Sequence, residues 1–287
     1  MECWSVGKAE LHQSNTPVIH LSIFMLPPVL AYHLVDRRFD AGIAWTTPKR
    51  FEKQIAWLAE AGYHALSLSE YLQHHYSADE KRLAITFDDG YRSLMQYALP
   101  ILSRYNFRAT VFIIAGYVGR PNLWDVKFFL PHFQHLDWNE LRALMAAGWE
   151  IGSHSLNHDY LPSLANDELR HDLSASRKIL EDNLQTPVAH LSLPFGRGNE
   201  RVYRAAHDAG YVSVSTLGNP ERISPNNVKS IPRRGVYLID SMRSFRQRVQ
   251  APPDSKWQYW RQRAISTFSM GTVIVKSVKK SVSPDFP

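Results

Sequence analysis

The chain has 287 residues, 44% of them hydrophobic and 21% charged, which excludes wholesale disorder. Its single cysteine, Cys3, excludes an intrachain disulfide and a cysteine-built zinc site. The net charge of +6 is confined to one end: from Ser241 onward nine Lys and Arg face two acids, a net +7, so the first 240 residues carry −1 and predict no nucleic-acid partner.

In chain order, residues 1–27 form an N-terminal extension. The most apolar stretch, 18–34, is broken by His20, Pro27, Pro28 and His33. It falls short of the roughly 18 uninterrupted apolar residues of a membrane span and lacks the layout of a cleavable signal. The expected location is the cytoplasm, or the periphery of the inner membrane face. Short apolar runs at 29–33, 65–68, 83–87, 109–114, 150–153, 190–193 and 212–216 predict strands.

Helices are predicted between these runs. Phe51, Ile55 and Leu58 recur at helical spacing ahead of Ala61-Gly62-Tyr63. The same ending returns at Ala147-Gly148-Trp149 and Ala209-Gly210-Tyr211, each a glycine that stops a helix before a strand. The longest helix is predicted over 166–184, with Leu169, Leu173, Leu180 and Leu184 on one side and Asn166 or Asp167 as its cap. Such alternation makes βα units around a parallel sheet, and about seven units close a barrel whose chemistry belongs at the C-terminal ends of its strands. This domain is expected over 28–240. Beyond it, 241–287 is a basic, aromatic tail with a rigid break at Pro252-Pro253.

Three of the predicted strands end in residues that carry candidate chemistry, and together they suit a catalytic divalent metal. Thr86-Phe87-Asp88-Asp89-Gly90 places two adjacent carboxylates where an apolar strand meets a glycine turn; apart from that strand, an Asp-Asp-Gly reads as a surface turn. His154-Ser155-Leu156-Asn157-His158 follows another strand and sets two imidazoles at i and i+4, a spacing that lets both converge on one ion. One carboxylate and two imidazoles leave positions open for water and a substrate oxygen, and the second carboxylate is free to act as base. The third element, Leu193-Pro194-Phe195-Gly196, ends a strand where a backbone N–H can meet a developing oxyanion.

These three motifs, in this order, resemble the leading motifs of the NodB-homology polysaccharide deacetylases, over about residues 28–236. The resemblance implies a distorted (β/α) barrel of about seven strands and metal-dependent removal of acetyl groups. It assigns Asp89, His154 and His158 to a divalent metal, Zn²⁺ first, with Co²⁺, Ni²⁺ or Mn²⁺ as the other candidates. Asp88 becomes the general base, and the N–H of Tyr91 or Phe195, beside Pro194, the oxyanion donor. The implied partner is an acetylated carbohydrate, a polysaccharide or its lipid-linked precursor. The alternative readings of this chain are a carbohydrate O-acetyl esterase or a small-molecule amidohydrolase on the same fold, and after them a non-catalytic carbohydrate-binding protein.

Two positions depart from the family pattern. An arginine that orients the base is usual two residues before Pro194, where this chain has Ser192; Arg233 or Arg234 could replace it from a late strand, or both could be exposed loop charges. The usual late histidine that serves as acid is missing, since the last histidine is His207. Members with rearranged motifs carry it at the first strand, and Val29-Leu30-Ala31-Tyr32-His33 is similar to them, which makes His33 the candidate acid. Trp124 stands in a loop suited to stacking on a sugar. His132, His135, His171 and His207 read as surface or satisfied residues. Trp257, Tyr259 and Trp260 beside Arg261 and Arg263 suit either an anionic membrane interface or a helix packed on the barrel.

Overall fold

The computed structural model describes residues 27–40, 43–73, 80–122, 133–218 and 228–251. The chain opens with β1 (Val29–Tyr32), β2 (Leu34–Val35), β3 (Trp45–Thr46), α1 (Pro48–Glu60), β4 (His64–Leu66) and α2 (Leu68–Gln73). Next come β5 (Arg82–Phe87), a π-helical turn (Leu94–Ala98), α3 (Leu99–Ser103), β6 (Thr110–Ile113), α4 (Trp138–Ala146) and β7 (Glu150–Ser153). The last elements are α5 (Asn166–Leu184), β8 (His190–Ser192), α6 (Glu200–Asp208), β9 (Ser213–Leu217), β10 (Lys229–Gly235) and α7 (Met242–Gln250).

Parallel pairing runs β1-β5-β6-β7-β8-β9-β10 and returns to β1, closing a barrel of seven strands as expected. The membership of that ring differs from the expectation. The apolar run at 65–68 yields only β4, which pairs with the first half of β5 (Ala65↔Leu83) while β6 pairs with the second (Thr86↔Thr110). The Arg108 N–H donates to the Ala65 carbonyl at 3.0 Å, so β4 is a wedge between two splayed strands. The seventh full stave is β10, the polar segment Lys-Ser-Ile-Pro-Arg-Arg-Gly, which pairs on both sides despite Pro232.

Period-two alternation sends Tyr32, Phe87 and Trp149 outward under the helices, where Phe87 and Trp149 stack at 5.3 Å. The inward positions form a separate small cluster that includes Val29, Ala84, Phe112 and Ile231. The three Ala-Gly-aromatic endings work as predicted: Gly62, Gly148 and Gly210 have φ of 79°, 83° and 89° and follow α1, α4 and α6. Helix α5 spans the predicted residues, but its cap is Ala165 rather than Asn166 or Asp167. Glu168 accepts the Ala165 N–H at 2.9 Å, and that carboxylate supplies the capping bond.

Helix α7 lies beyond the domain edge placed at Asp240, yet Phe245 and Val249 join the main core. Arg248 and Asp240 are both buried and pair at 2.7 Å, and Arg248 also donates to the Gly235 carbonyl. The first turns of the basic tail are therefore barrel structure. Trp124, His132 and the tail aromatics from Trp257 lie outside the described residues, among which no helix is long and apolar enough to cross a membrane. Phe245→Ala is expected to cost about 3–5 kcal/mol of unfolding free energy. The exposed Arg243→Ala should stay within about 0.5 kcal/mol, both read from urea melts.

Candidate active site

The barrel brings five of its strands to one cluster of chemistry-bearing side chains. His33 follows β1, Asp88 and Asp89 follow β5, His154 follows β7, Ser192 ends β8, and Arg233 rises from inside β10. Arg233 is paired in register with Val29, below the barrel mouth, so its long side chain reaches upward through the interior. It passes Phe112, with its guanidinium carbon 5.2 Å from the ring centre.

Asp89, His154 and His158 offer one ligand atom each, all within 4.8 Å of one another and all buried. The two Nε2 atoms stand 3.4 Å and 3.6 Å from Asp89 Oδ1. Ligands held about 2.0–2.1 Å from one tetrahedral ion lie roughly 3.4 Å apart, so the three atoms fit a divalent metal. Two further observations agree with that fit. Asp89 Oδ1 is buried with no hydrogen-bond donor among the described residues. The His154 Nδ1–H donates to the Ser192 carbonyl at 2.9 Å, which leaves the Nε2 lone pair facing Asp89. Burial pushes the Asp89 carboxyl up, but His154 and His158 outweigh it and hold the group well below the usual range.

Asp88 has different partners. Arg233 donates to both its oxygens, at 2.7 Å and 2.8 Å, and Ser192 Oγ donates to Oδ1 at 3.1 Å. Arg233 also donates to Ser192 Oγ at 2.6 Å and to Thr86 Oγ1 at 3.1 Å. Burial raises the Asp88 carboxyl, and Arg233 and His154 overcome it, bringing it down to about 2. His33 Nε2 lies 3.7 Å from Asp88 Oδ2. The place where an orienting arginine is usual is thus filled jointly, by Ser192 on β8 and Arg233 on β10.

Arg234 goes elsewhere. It points away from the site and donates to the Arg248 and Val249 carbonyls. Tyr91 is buried beyond Gly90, with its hydroxyl accepting from Asn122 Nδ2 at 3.0 Å. Phe195 adopts φ 59° in the Pro194–Gly196 turn, its ring 5.0 Å from that of His158. His171 and His207 are exposed as expected, whereas His135 is not: it is 4% exposed, and its Nδ1–H donates to the Asp89 carbonyl at 2.7 Å. Its surroundings in sequence carry no motif, so nothing there marks it.

A second residue missed in the sequence is Asp172. It accepts the Leu156 N–H at 3.1 Å beneath the histidine loop, and burial pushes its carboxyl up to about 6. The available signal is an acid inside the apolar stripe of α5, between Leu169 and Leu173. The loop above it is further tied by Ser155 Oγ, which accepts the His158 N–H at 3.0 Å.

Residues 75–214 match the family model described as polysaccharide deacetylase. Bacillus subtilis YxkH, named as a candidate polysaccharide deacetylase, is 30% identical over 188 residues, covering 64% of this chain and 62% of its own. A Staphylococcus aureus poly-β-1,6-N-acetyl-D-glucosamine N-deacetylase is 29% identical over 196 residues, covering 64% of this chain and 65% of its own. The chain therefore spans somewhat less than two thirds of the length of these relatives. The Streptococcus pyogenes deacetylase PplD, solved with acetate, has the same fold: TM-score 0.66 at 21% identity, over 78% of this chain and 98% of that one. His33 and Arg233 both lie outside the matched segment.

Removing Arg233 leaves Asp88 buried without its cation. Arg233→Met is expected to cost about 3–5 kcal/mol in denaturant melts, with the Asp88→Asn/Arg233→Met pair recovering part of it. Because folding lowers the Asp88 pKa, its stabilisation is full above the ordinary 3.8 and is lost as pH falls towards about 2. A loss below 1 kcal/mol in the single variant would contradict this account of the pair.

Proposed function

Because residues 75–214 match the polysaccharide deacetylase family model, we propose that this chain is a member and hydrolyses acetyl groups on a polysaccharide, with N-acetylhexosamine units as the substrate class. The observation that carries the proposal is the pairing of two sets of groups in one small volume. Asp89, His154 and His158 converge as a ligand set, and directly beside them Asp88 and His33 stand 3.7 Å apart. The name of the Staphylococcus aureus relative supports the choice of N-acetylglucosamine as the sugar.

Asp89, His154 and His158 would hold a divalent metal, Zn²⁺ by the donor set, which supplies Lewis acidity and acidifies water. Asp88 is the base. Arg233 keeps it ionised at any working pH and, by the same interaction, makes it a weak base, so the proton it accepts must come from an acidified water. As the water oxygen bonds to the acetyl carbon, negative charge builds on the carbonyl oxygen, and the N–H of Tyr91 or Phe195 is the candidate donor to it. His33, near Asp88 at the end of β1, then gives a proton to the departing nitrogen. The carbon–nitrogen bond breaks, and acetate and a free amine leave.

Protonation of the leaving group matters far more for an amine than for an alcohol. A histidine at 3.7 Å from the base therefore favours amide over ester hydrolysis in this site. Acetate release from N-acetylglucosamine oligomers, compared with acetylated xylan, tests the proposal. Release should stop with chelator and return with Zn²⁺ or Co²⁺. Asp88→Asn and His33→Ala should each reduce turnover by about 10²–10⁴-fold while keeping the metal. Near wild-type turnover of His33→Ala would remove it as the acid, and chelator-insensitive release would reject the metal-dependent reading.

A further inference from the structure

Asp89 has φ 69°, a left-handed backbone that is uncommon for a non-glycine residue and costs energy that its surroundings must supply. Gly90 follows in the same region at φ 65°, and a Cβ there would meet the Ile113 side chain at 2.6 Å. Glycine thus accounts for the second turn residue; aspartate tolerates the left-handed region better than most residues, yet the conformation still carries a cost that its surroundings must offset.

The restraining element is the segment just before α4. It runs antiparallel to the turn: the Leu136 N–H donates to the Gly90 carbonyl at 2.9 Å, and the Arg92 N–H to the Gln134 carbonyl at 2.8 Å. Between these two bonds sits His135. Its ring stacks on Tyr91 at 5.3 Å and 14°, and a carbonyl can only accept, so the 2.7 Å contact is an Nδ1–H donated to Asp89 O. The segment itself is tied down by the His135 N–H, which donates to the Arg120 carbonyl at 3.0 Å.

We propose that His135 is a positioning residue for the metal site, its Nδ1–H holding the Asp89 peptide in the left-handed turn that presents Oδ1 to His154 and His158. The bond acts on the backbone of a ligand rather than on its side chain, and it couples the strap before α4 to the cluster. This inference rests on the reading of Asp89, His154 and His158 as metal ligands. The ring's second contribution, its stacking on Tyr91, is a matter of shape, and the two can be separated by substitution.

The experiment is Co²⁺ titration of the metal-free full-length protein, followed by visible absorption, for wild type, His135→Phe, His135→Asn, His135→Gln and Asp89→Asn. Phenylalanine keeps a flat ring and loses the donor; asparagine places an amide N–H where Nδ1 stands, and glutamine places one nearer Nε2. Partners of ligands typically change metal affinity by about 10–100-fold, and that is the loss expected for His135→Phe and His135→Gln. His135→Asn should recover most of it. Near-UV circular dichroism of each metal-free variant checks that the fold is kept, and if His135→Phe does not fold, the asparagine–glutamine comparison carries the test. Wild-type affinity in His135→Phe, or equal weakness of the asparagine and glutamine variants, would overturn the role of the donor. Equal Co²⁺ binding by wild type and Asp89→Asn would overturn the ligand assignment itself, and the role of His135 with it.

Discussion

The buried pair of Asp88 and Arg233 is the constraint around which the barrel interior is arranged. A guanidinium with no solvent exposure on its side chain is tolerable only against a carboxylate that satisfies it, and Arg233 donates to both oxygens of one. That pair ties the end of β5 to the middle of β10 across the strand that closes the ring. The neighbouring interior residues are correspondingly small or hydroxylated: Ala84, Thr86 and Ser192 leave the volume through which the arginine passes, Thr86 and Ser192 accept the second hydrogen of each terminal nitrogen, and the Nε–H finds no acceptor among the described residues. A larger side chain at Ser192 would compete with Arg233 for the same space. Serine on β8 and arginine on β10 are therefore two halves of one solution.

The same arrangement separates the duties of two adjacent acids. Asp88 and Asp89 are both buried and both held below the usual carboxylate range, and they share His154, but Arg233 dominates for Asp88 whereas His154 and His158 dominate for Asp89. Asp88 is engaged by Arg233, which occupies both oxygens and leaves it unable to bring an uncompensated charge to a metal. Asp89 faces only imidazoles, and its Oδ1 has no donor among the described residues. The left-handed backbone of Asp89 itself lets such neighbours diverge, because it turns the chain away from strand geometry. Environment, rather than residue type, leaves one carboxylate with an oxygen open towards two imidazoles and locks the other to an arginine, the difference on which the proposed division of roles rests.

Much of this was legible in the sequence because the motifs sit at strand ends. The chain pattern Phe87-Asp88-Asp89-Gly90 and the i, i+4 histidines could be located without coordinates, as could His33 at the end of an apolar run. Six of the seven staves were visible as apolar runs for the same reason. The seventh was not: β10 alternates Lys, Ile, Arg and Gly with a proline among them, a composition that argues against a central strand. Its polar character follows from the interior it lines, where an arginine is needed. The apolar run at 65–68 misled in the opposite direction, since burial alone does not distinguish a full stave from the wedge β4. His135 escaped notice because its role is a single bond to a backbone carbonyl, and a bond of that kind leaves no pattern of residue types.

Left-handed residues gather where the site is built. Asp89, Ser155, His158 and Phe195 all have positive φ, and each sits within or beside one of the three motifs. Such conformations cost on the order of 1–3 kcal/mol apiece and persist only where neighbours over-determine them. Here each neighbour can be named: the His135 strap for Asp89, the Asp172 carboxylate and the Ser155 hydroxyl for the histidine loop, and for Phe195 the turn in which the Gly196 N–H donates to the Leu193 carbonyl at 2.8 Å. These restraints come from loops and one helix, while the staves beneath contribute the levels at which the motifs begin. A rigid ring thus fixes where each motif starts, and a second layer of polar contacts fixes how it turns. Two imidazole nitrogens held 3.4 and 3.6 Å from one carboxylate oxygen are thereby gathered before any ion arrives, which keeps the reorganisation needed by the proposed metal site small.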